Sequence, residues 1–241
     1  MSAIVLKDIS VNFPIQGTQL HGSKASWFNK LTQRKEYYSA LNEFSLTVRE
    51  GDRVGLVGLN GAGKSTLLRV MGGIYTPSSG SVTVNGNVSS LFDLSTGFEM
   101  ELNAIENIKV RLLLLGLNKD EIRDLTGEIV AFSELGDFIY QPIRTYSAGM
   151  FLRLAFSVST CINPDILLAD EIIGAGDHIF AQKAQQRLKR MMENGKTSVL
   201  ATHSTELIYT YCDRVVWLNK GVVVMDGLVD EVMPLYLKAA L

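Results

Sequence analysis

At 241 residues and 26.5 kDa, the chain has the length of one domain, or of one domain with a small appended lobe. An apolar fraction of 46%, a charged fraction of 20% and a formal net charge of -2 describe an ordinary globular protein with no general polyanion-binding surface. Two cysteines, Cys161 and Cys212, exclude a disulfide-dense secreted scaffold, and no stretch reaches the roughly 18 apolar residues of a membrane span. No signal peptide heads the sequence, so the expected location is cytosolic, or peripheral to a membrane through a partner.

Ile4–Phe13 alternates apolar and polar side chains and is predicted as a strand ended by Pro14. Residues 15–38 have another texture, with Gly17, Gly22, Trp27, Phe28 and the charged Lys24, Lys30, Arg34, Lys35 and Glu36. The segment 14–38 reads either as a surface insert whose aromatics tuck back onto the body or as a docking element for a partner. Leu41–Val48 is a second strand, and Arg53–Val57 is a buried strand running straight into Gly58. A helix begins near Gly63 and carries Leu67, Leu68, Val70 and Met71. Val82–Val84 and Val88–Phe92 are expected to pair as a hairpin around Asn85-Gly86-Asn87.

Ala104 to about Gly136 reads as helical, broken near Gly116-Leu117-Asn118, and Ala148–Thr160 is another helix. Ile166–Ala169 is an unbroken apolar run, the pattern of a parallel strand buried on both faces. The amphipathic helix Phe180–Glu193, the buried strand Thr197–Ala201 and a helix from Glu206 follow. Val215–Leu218 and Val222–Met225 form a hairpin around Asn219-Lys220-Gly221, and residues 230–241 form a terminal helix. Strands alternating with helices make the fold class α/β.

Gly58-Leu59-Asn60-Gly61-Ala62-Gly63-Lys64-Ser65-Thr66 fits the phosphate-loop pattern Gly-x-x-x-x-Gly-Lys-Ser/Thr. A backbone wrapped around a phosphate with its N–H groups inward needs glycine, and the helix that follows aims free N–H groups and its dipole at the anion. Lys64 is then placed to reach the β and γ phosphates and Ser65 to ligate Mg²⁺. The apolar strand ending in Asp170-Glu171 would, on its own, be a solvated strand end. Beside a phosphate loop, Asp170 suits a water-mediated Mg²⁺ contact and Glu171 a general base or water-positioner for attack on the γ phosphate. His203, just beyond Thr197–Ala201, is placed to hydrogen-bond the γ phosphate; a lone histidine is otherwise a structural one.

Tyr146-Ser147-Ala148-Gly149-Met150 opens a helix, and Ser147 precedes Asp170 by 23 residues. With this motif the chain resembles the ATP-binding subunit of an ABC transporter, whose signature is usually Leu-Ser-Gly-Gly-Gln. Tyr-Ser-x-Gly-Met resembles the subfamily that exports polysaccharides: O-antigen, capsular polysaccharide and teichoic acid. Gly97-Phe98-Glu99, Glu106-Asn107-Ile108, Gly174-Ala175-Gly176-Asp177, Ala201-Thr202-His203-Ser204 and the 14–38 insert resemble the same subfamily.

The resemblance implies a P-loop NTPase core with a mixed sheet, an N-terminal antiparallel β subdomain and an inserted α-helical subdomain over about 98–160, all within one nucleotide-binding domain, 1–241. It implies a head-to-tail homodimer in which ATP lies between the phosphate loop of one chain and Ser147 and Gly149 of the other. Gly58, Asn60, Gly61, Ala62, Gly63, Lys64, Ser65 and Thr66 would bind the phosphates, and Asp177 would lie on the loop that crosses to the partner. Phe13 falls where the family stacks an aromatic on adenine, with plain core packing as the other reading. Glu171, His203 and Lys64 would be catalytic; Ser65 and Asp170 would hold Mg²⁺. The family's glutamine after the strand ending near Phe92 is missing. Asp93 is the best-matching residue, assigned to Mg²⁺, with Glu99 as the fallback; an ionised carboxylate there has no amide hydrogen to donate.

The function implied is ATP hydrolysis that powers export of a lipid-linked polysaccharide, O-antigen first, through a separate integral-membrane permease. The chain would sit on the cytoplasmic face of the bacterial inner membrane, with helices over 98–140 receiving the permease, ATP and Mg²⁺ as cofactors and no nucleic acid partner. Other readings are the ATPase of another ABC exporter of lipid or drug, a soluble ABC ATPase acting on nucleic acid or ribosomes, and a nucleotide binder without turnover. Some polysaccharide exporters carry a further C-terminal glycan-reading domain. The sequence ends at Leu241, so the expectation is a system without that attached reader, or with it encoded elsewhere.

Overall fold

Strand β1 (Ser2–Pro14) buries Ile4, Leu6, Ile9 and Val11, and pairs antiparallel with β2 (Tyr37–Arg49). The alternation slips by one residue between Leu6 and Ile9. There Asp8 adopts φ 48° and its N–H donates to Ser45 Oγ at 2.8 Å. A bulge of this kind bends the pair and re-aims the side chains beyond it. Residues 1–15, 37–92, 94–170, 178–193 and 197–239 are described by the computed structural model. Both strands reach into the expected insert, Pro14 closing β1 and Tyr37 and Tyr38 opening β2; residues 16–36, with Trp27 and Phe28, lie outside the described residues.

The chain continues through β3 (Arg53–Val57), α1 (Lys64–Met71), β4 (Ser79–Val84) and β5 (Val88–Ser90). Next come α2 (Ala104–Leu114), α3 (Lys119–Ser133), two 3₁₀ turns at Gly136–Tyr140 and Ile143–Thr145, and α4 (Ala148–Ser159). Then follow β6 (Ile166–Asp170), α5 (His178–Glu193), β7 (Thr197–Ala201), α6 (Thr205–Tyr211), β8 (Arg214–Asn219), β9 (Val222–Leu228) and α7 (Val229–Ala239). One sheet has the order β2-β1-β4 and is antiparallel. The other has the order β5-β6-β7-β3-β8-β9, parallel except for β9.

The expected hairpin over 82–92 does not form. β4 pairs with β1 in the small sheet, whereas β5 pairs parallel with β6 in the large one. The connecting residues are tied to two different places. Asn85 donates through N–H to Ala3 O (2.8 Å) and through its side chain to Ser2 O (2.9 Å), while Asn87 N–H donates to Asp165 Oδ2 at 2.9 Å. Gly86, at φ 120°, makes the crossing between the sheets.

Three apolar clusters explain the layering. Helix α1 lies between the two sheets, its Leu67, Leu68, Val70 and Met71 packed with Ile4 and Leu46 on one side and Leu168 and Val199 on the other. The opposite face of the large sheet, with Leu167, Ala169 and Leu200, is covered by α5, α6 and α7. This is why Ile166–Ala169 carries no polar alternation: both faces are buried. A third cluster, around Ile108, Leu112, Ile129 and Leu154, belongs to α2, α3 and α4. Its helices are delimited as their caps dictate: Asn103 and Asn118 each form a capping box, with Glu106 and Glu121. Burying a leucine such as Leu67 or Leu68 is worth about 2 kcal/mol, so α1 is held firmly at the end of β3.

Candidate active site

Residues at the carboxyl ends of β3, β7 and β6 meet at one level. Leu56 and Asp170 both stand in register with Ala201 of β7, which lies between them. The loop after β3, the Thr202-His203 turn after β7 and the Asp170 end of β6 therefore open on one side of the sheet, the usual place for a ligand in a parallel α/β structure.

The Gly58–Lys64 loop is shaped by close backbone approach. A Cβ at Gly58 (φ 153°) would stand 2.4 Å from Leu218 O and 2.9 Å from Ala62 Cβ. One at Gly63 (φ 108°) would stand 2.8 Å from Ala40 O. The β8–β9 turn braces the loop from outside, since Gly221 N–H donates to Ala62 O at 3.0 Å and Asn42 N–H donates to Gly221 O at 3.1 Å. Helix α1 starts without a side-chain cap, whereas α2, α3, α4 and α6 start with Asn103, Asn118, Ser147 and Ser204 as caps. The α1 terminus thus points uncapped N–H groups into the hollow of the loop. Lys64, 8% exposed, donates from Nζ to Gly58 O (2.7 Å) and Leu59 O (3.2 Å), which arches its ammonium over that hollow.

An open cleft of about 480 Å³ runs along this edge. Its floor is Asn60, Gly61, Ala62, Gly63, Lys64, Ser65 and Thr66; Asp170 and His203 form one wall. Thr202 Oγ1 accepts from Ser204 N–H at 3.1 Å and shapes the turn that exposes His203 there. Phe13 stands at the far end. It packs edge-on against Tyr75 (centroids 5.5 Å apart), so it both packs on the core and presents surface to the cleft. Four cleft residues were given no site role from the sequence: Tyr38, Ala40, Phe92 and Thr202, the last named only within the Ala201–Ser204 motif. Tyr38 sits directly across the ladder from Phe13, and its hydroxyl donates to Gly61 O at 3.4 Å.

Ser147 and Gly149 are not in this cleft. They line a separate hollow of about 310 Å³ with Glu134, Leu135, Phe138, Met150 and Arg153. Ser147 Oγ accepts from Met150 N–H at 3.2 Å and starts α4. Glu171, Asp177 and Asp93 lie outside the described residues. Glu99, the fallback for Asp93, has an exposed side chain and is not on the cleft wall; its backbone is bonded to the buried Asn107. Among the described residues no helix is long and apolar enough to cross a membrane.

The family model for ABC transporters matches residues 41–174. The O-antigen export system ATP-binding protein RfbB of Myxococcus xanthus is 41% identical over 99% of this chain, and the chain spans 56% of its length. The teichoic acids export ATP-binding protein TagH of Staphylococcus saprophyticus is 42% identical over 86% of this chain and 77% of its own length. TagH of Bacillus anthracis is 40% identical over 83% of this chain, which spans 36% of that protein. Among solved structures, a dimeric post-hydrolysis state of the cassette MJ0796 bound to ADP and Pi superposes with a TM-score of 0.70 at 24% identity, over 94% of this chain and 98% of that one. A second dimeric MJ0796 structure gives a TM-score of 0.70 at 25% identity, with the same coverage. The phosphate loop at the end of β3, the mixed sheet with its antiparallel companion, and this degree of identity agree, and the chain belongs to the ABC transporter family.

Proposed function

We propose that the chain is the ATP-hydrolysing subunit of a system that exports a lipid-linked polysaccharide, O-antigen in class, through a separate membrane permease. One observation supports the chemistry above all others: Lys64, Asp170 and His203, from three strand ends, border one cleft floored by uncapped helix N–H groups. The cargo is inferred from relatives named for O-antigen and teichoic acid export.

The cleft suits a nucleoside triphosphate. The loop N–H groups and α1 neutralise the phosphates, and Lys64 exchanges its carbonyl partners Gly58 O and Leu59 O for β and γ oxygens. The base lies toward Phe13 and Tyr38, whose π faces accept any purine by stacking. Ser65 and Asp170 offer hard oxygen donors on the same cleft, a set that fits Mg²⁺, which takes one or two protein oxygens and completes its shell with phosphate and water. Bound there, Mg²⁺ would offset charge on the phosphates. Glu171 follows Asp170 in sequence and acts as general base on the attacking water, and His203 hydrogen-bonds the γ phosphate.

Two chains complete the site. Ser147 and Gly149 open α4 away from the chain's own cleft, so their N–H groups serve the nucleotide of a second copy arranged head to tail. Such a dimer closes on ATP and reopens after hydrolysis, and the motion drives the permease from the cytoplasmic face of the bacterial inner membrane.

The test is affinity purification of the chain from detergent-extracted membranes, with ATPase assay and lipid analysis of the co-purified material. A co-purifying multispanning protein, bound lipid-linked glycan and turnover lost in Lys64→Ala are expected. Recovery with ribosomes or nucleic acid, and no membrane protein, would refute the export reading.

A further inference from the structure

Helices α3, α4 and α5 meet around Phe132, Phe156 and Phe180, whose ring centroids lie 5.8 to 6.2 Å apart. Glu134 closes one side of this cluster. It follows α3 directly and is a non-glycine residue at φ 54°, in the left-handed region that glycine occupies more readily. Its two carboxylate oxygens reach different helices. Oε1 lies 2.6 Å from Lys183 Nζ on α5, and Oε2 lies 4.0 Å from Arg153 Nη1 on α4. Lys183 also donates to Phe132 O at 3.1 Å and stands 4.6 Å from the Phe132 ring. Arg153 stands 5.2 Å over the Phe180 ring. Both cations are therefore held by an aromatic face as well as by the carboxylate.

The two helices so joined carry different parts of the chemistry. Helix α4 opens at Ser147, and Glu134 lines the same hollow as Ser147 and Gly149. Helix α5 begins at His178, directly after the stretch of sequence from Glu171 to Asp177. A helix N-terminus donates only over hydrogen-bond distance, and its dipole acts within the first turn, so a small rotation of α4 against α5 would withdraw Ser147 from its target.

We propose, on the two-chain reading of Ser147 given above, that Glu134 is a positioning residue. It ties α4 to α5 through Arg153 and Lys183 and so holds the Ser147 terminus at the angle that meets the γ phosphate of the partner chain. Glycine suits the φ of Glu134 better than glutamate does, so a residue that served only the backbone turn after α3 would be replaced by glycine without loss.

The experiment is ATP-driven dimerisation of the full chain in a Glu171→Gln background, read by sedimentation velocity. Affinity of the dilute single chain for a fluorescent ATP analogue is measured alongside. Glu134→Gln, Glu134→Gly and Lys183→Met should each weaken dimerisation about fivefold, the scale of one partly exposed ion pair, with analogue affinity within about twofold of the parent. Parental dimerisation in Glu134→Gly overturns the proposal, as does a loss of analogue affinity that parallels the loss of dimer. Parental dimerisation in all three, with Ser147→Arg abolishing it, removes Glu134 alone from the mechanism. Parental dimerisation in Ser147→Arg removes the two-chain reading, and Glu134 with it.

Discussion

Gly58 is the residue of the phosphate loop at which the surrounding structure leaves least room. A methyl group would collide with Leu218 O, a carbonyl of β8 rather than a movable side chain, at a φ that already disfavours L residues. Gly58→Ala should destabilise the chain by about 3 kcal/mol in urea denaturation and abolish nucleotide binding. A denaturation curve overlying the parent's would mean that β8 yields. The cysteines carry the opposite message. Burial pushes the Cys212 thiol up to about 12 and the Cys161 thiol up to about 11. Each folded thiol holds its proton above pH 9, where the unfolded one releases it, so their contribution to stability is full below about pH 9 and is lost as pH rises toward the folded values. Maleimide should label neither cysteine appreciably at neutral pH until urea opens the fold; rapid labelling of the native chain would contradict the burial of Cys212.

At the scale of elements, the loop from Thr96 to Asn103 is held from one side by the 3₁₀ turn at Ile143–Thr145, whose Ile143 and Arg144 N–H groups donate to Leu102 O and Met100 O, and from the other by α2. Asn107 on α2 is 1% exposed and uses its amide fully: Oδ1 accepts from Glu99 N–H, and Nδ2 donates to Glu99 O, Leu102 O and Asn103 O at 3.0 to 3.2 Å. One turn later, Arg111 donates to Thr96 O and lies 5.2 Å from the Phe98 ring; burial lowers its pKa. Asn107→Leu leaves the Glu99 N–H without its acceptor and takes one of two hydrogen bonds from each of the Glu99, Leu102 and Asn103 carbonyls, at a cost of about 2 kcal/mol. Hydrogen exchange at Glu99 and Leu102 should rise in that variant while exchange in β3 and β7 follows only the global loss of stability. Unchanged exchange at Glu99 would show that the loop holds itself. Helix periodicity placed α2, but the role of Asn107 needed the fold, because its partners are backbone groups whose positions no side-chain pattern encodes.

For the whole molecule, the proposed two-chain site makes concentration the deciding variable, because Ser147 is separate from the chain's own cleft. ATPase activity per chain should fall on dilution through the dimerisation range, and Ser147→Arg mixed with parent should lower parent activity by forming defective sites. A rate per chain independent of dilution and of Ser147 would describe a self-sufficient monomer and end the two-chain account. In the proposed dimer, closing of two copies on ATP would be a linkage effect: nucleotide that binds the closed pair more tightly than the single chain stabilises the pair by a free energy that grows with the logarithm of its concentration.

Local sequence was enough for the glycine-rich loop after β3, the apolar β6 ending at Asp170, the existence of the helices and the order of elements. In each, the physical requirement lies within a few neighbouring residues: glycine for a tight backbone path, an unbroken apolar run for a two-faced strand, apolar side chains at helical spacing for a packed helix face. The partner of β4 and β5 could not be read that way. Asn85-Gly86-Asn87 suits a hairpin turn locally, and only the distant hydrogen bonds to Ser2, Ala3 and Asp165 send the two strands into different sheets. Tyr38 was hidden because the apolar alternation that marks its strand begins only at Leu41, and its place beside Phe13 is a matter of cross-strand register. Glu134 was hidden for the same reason, since Arg153 and Lys183 are remote in sequence and meet it only when α4 and α5 pack.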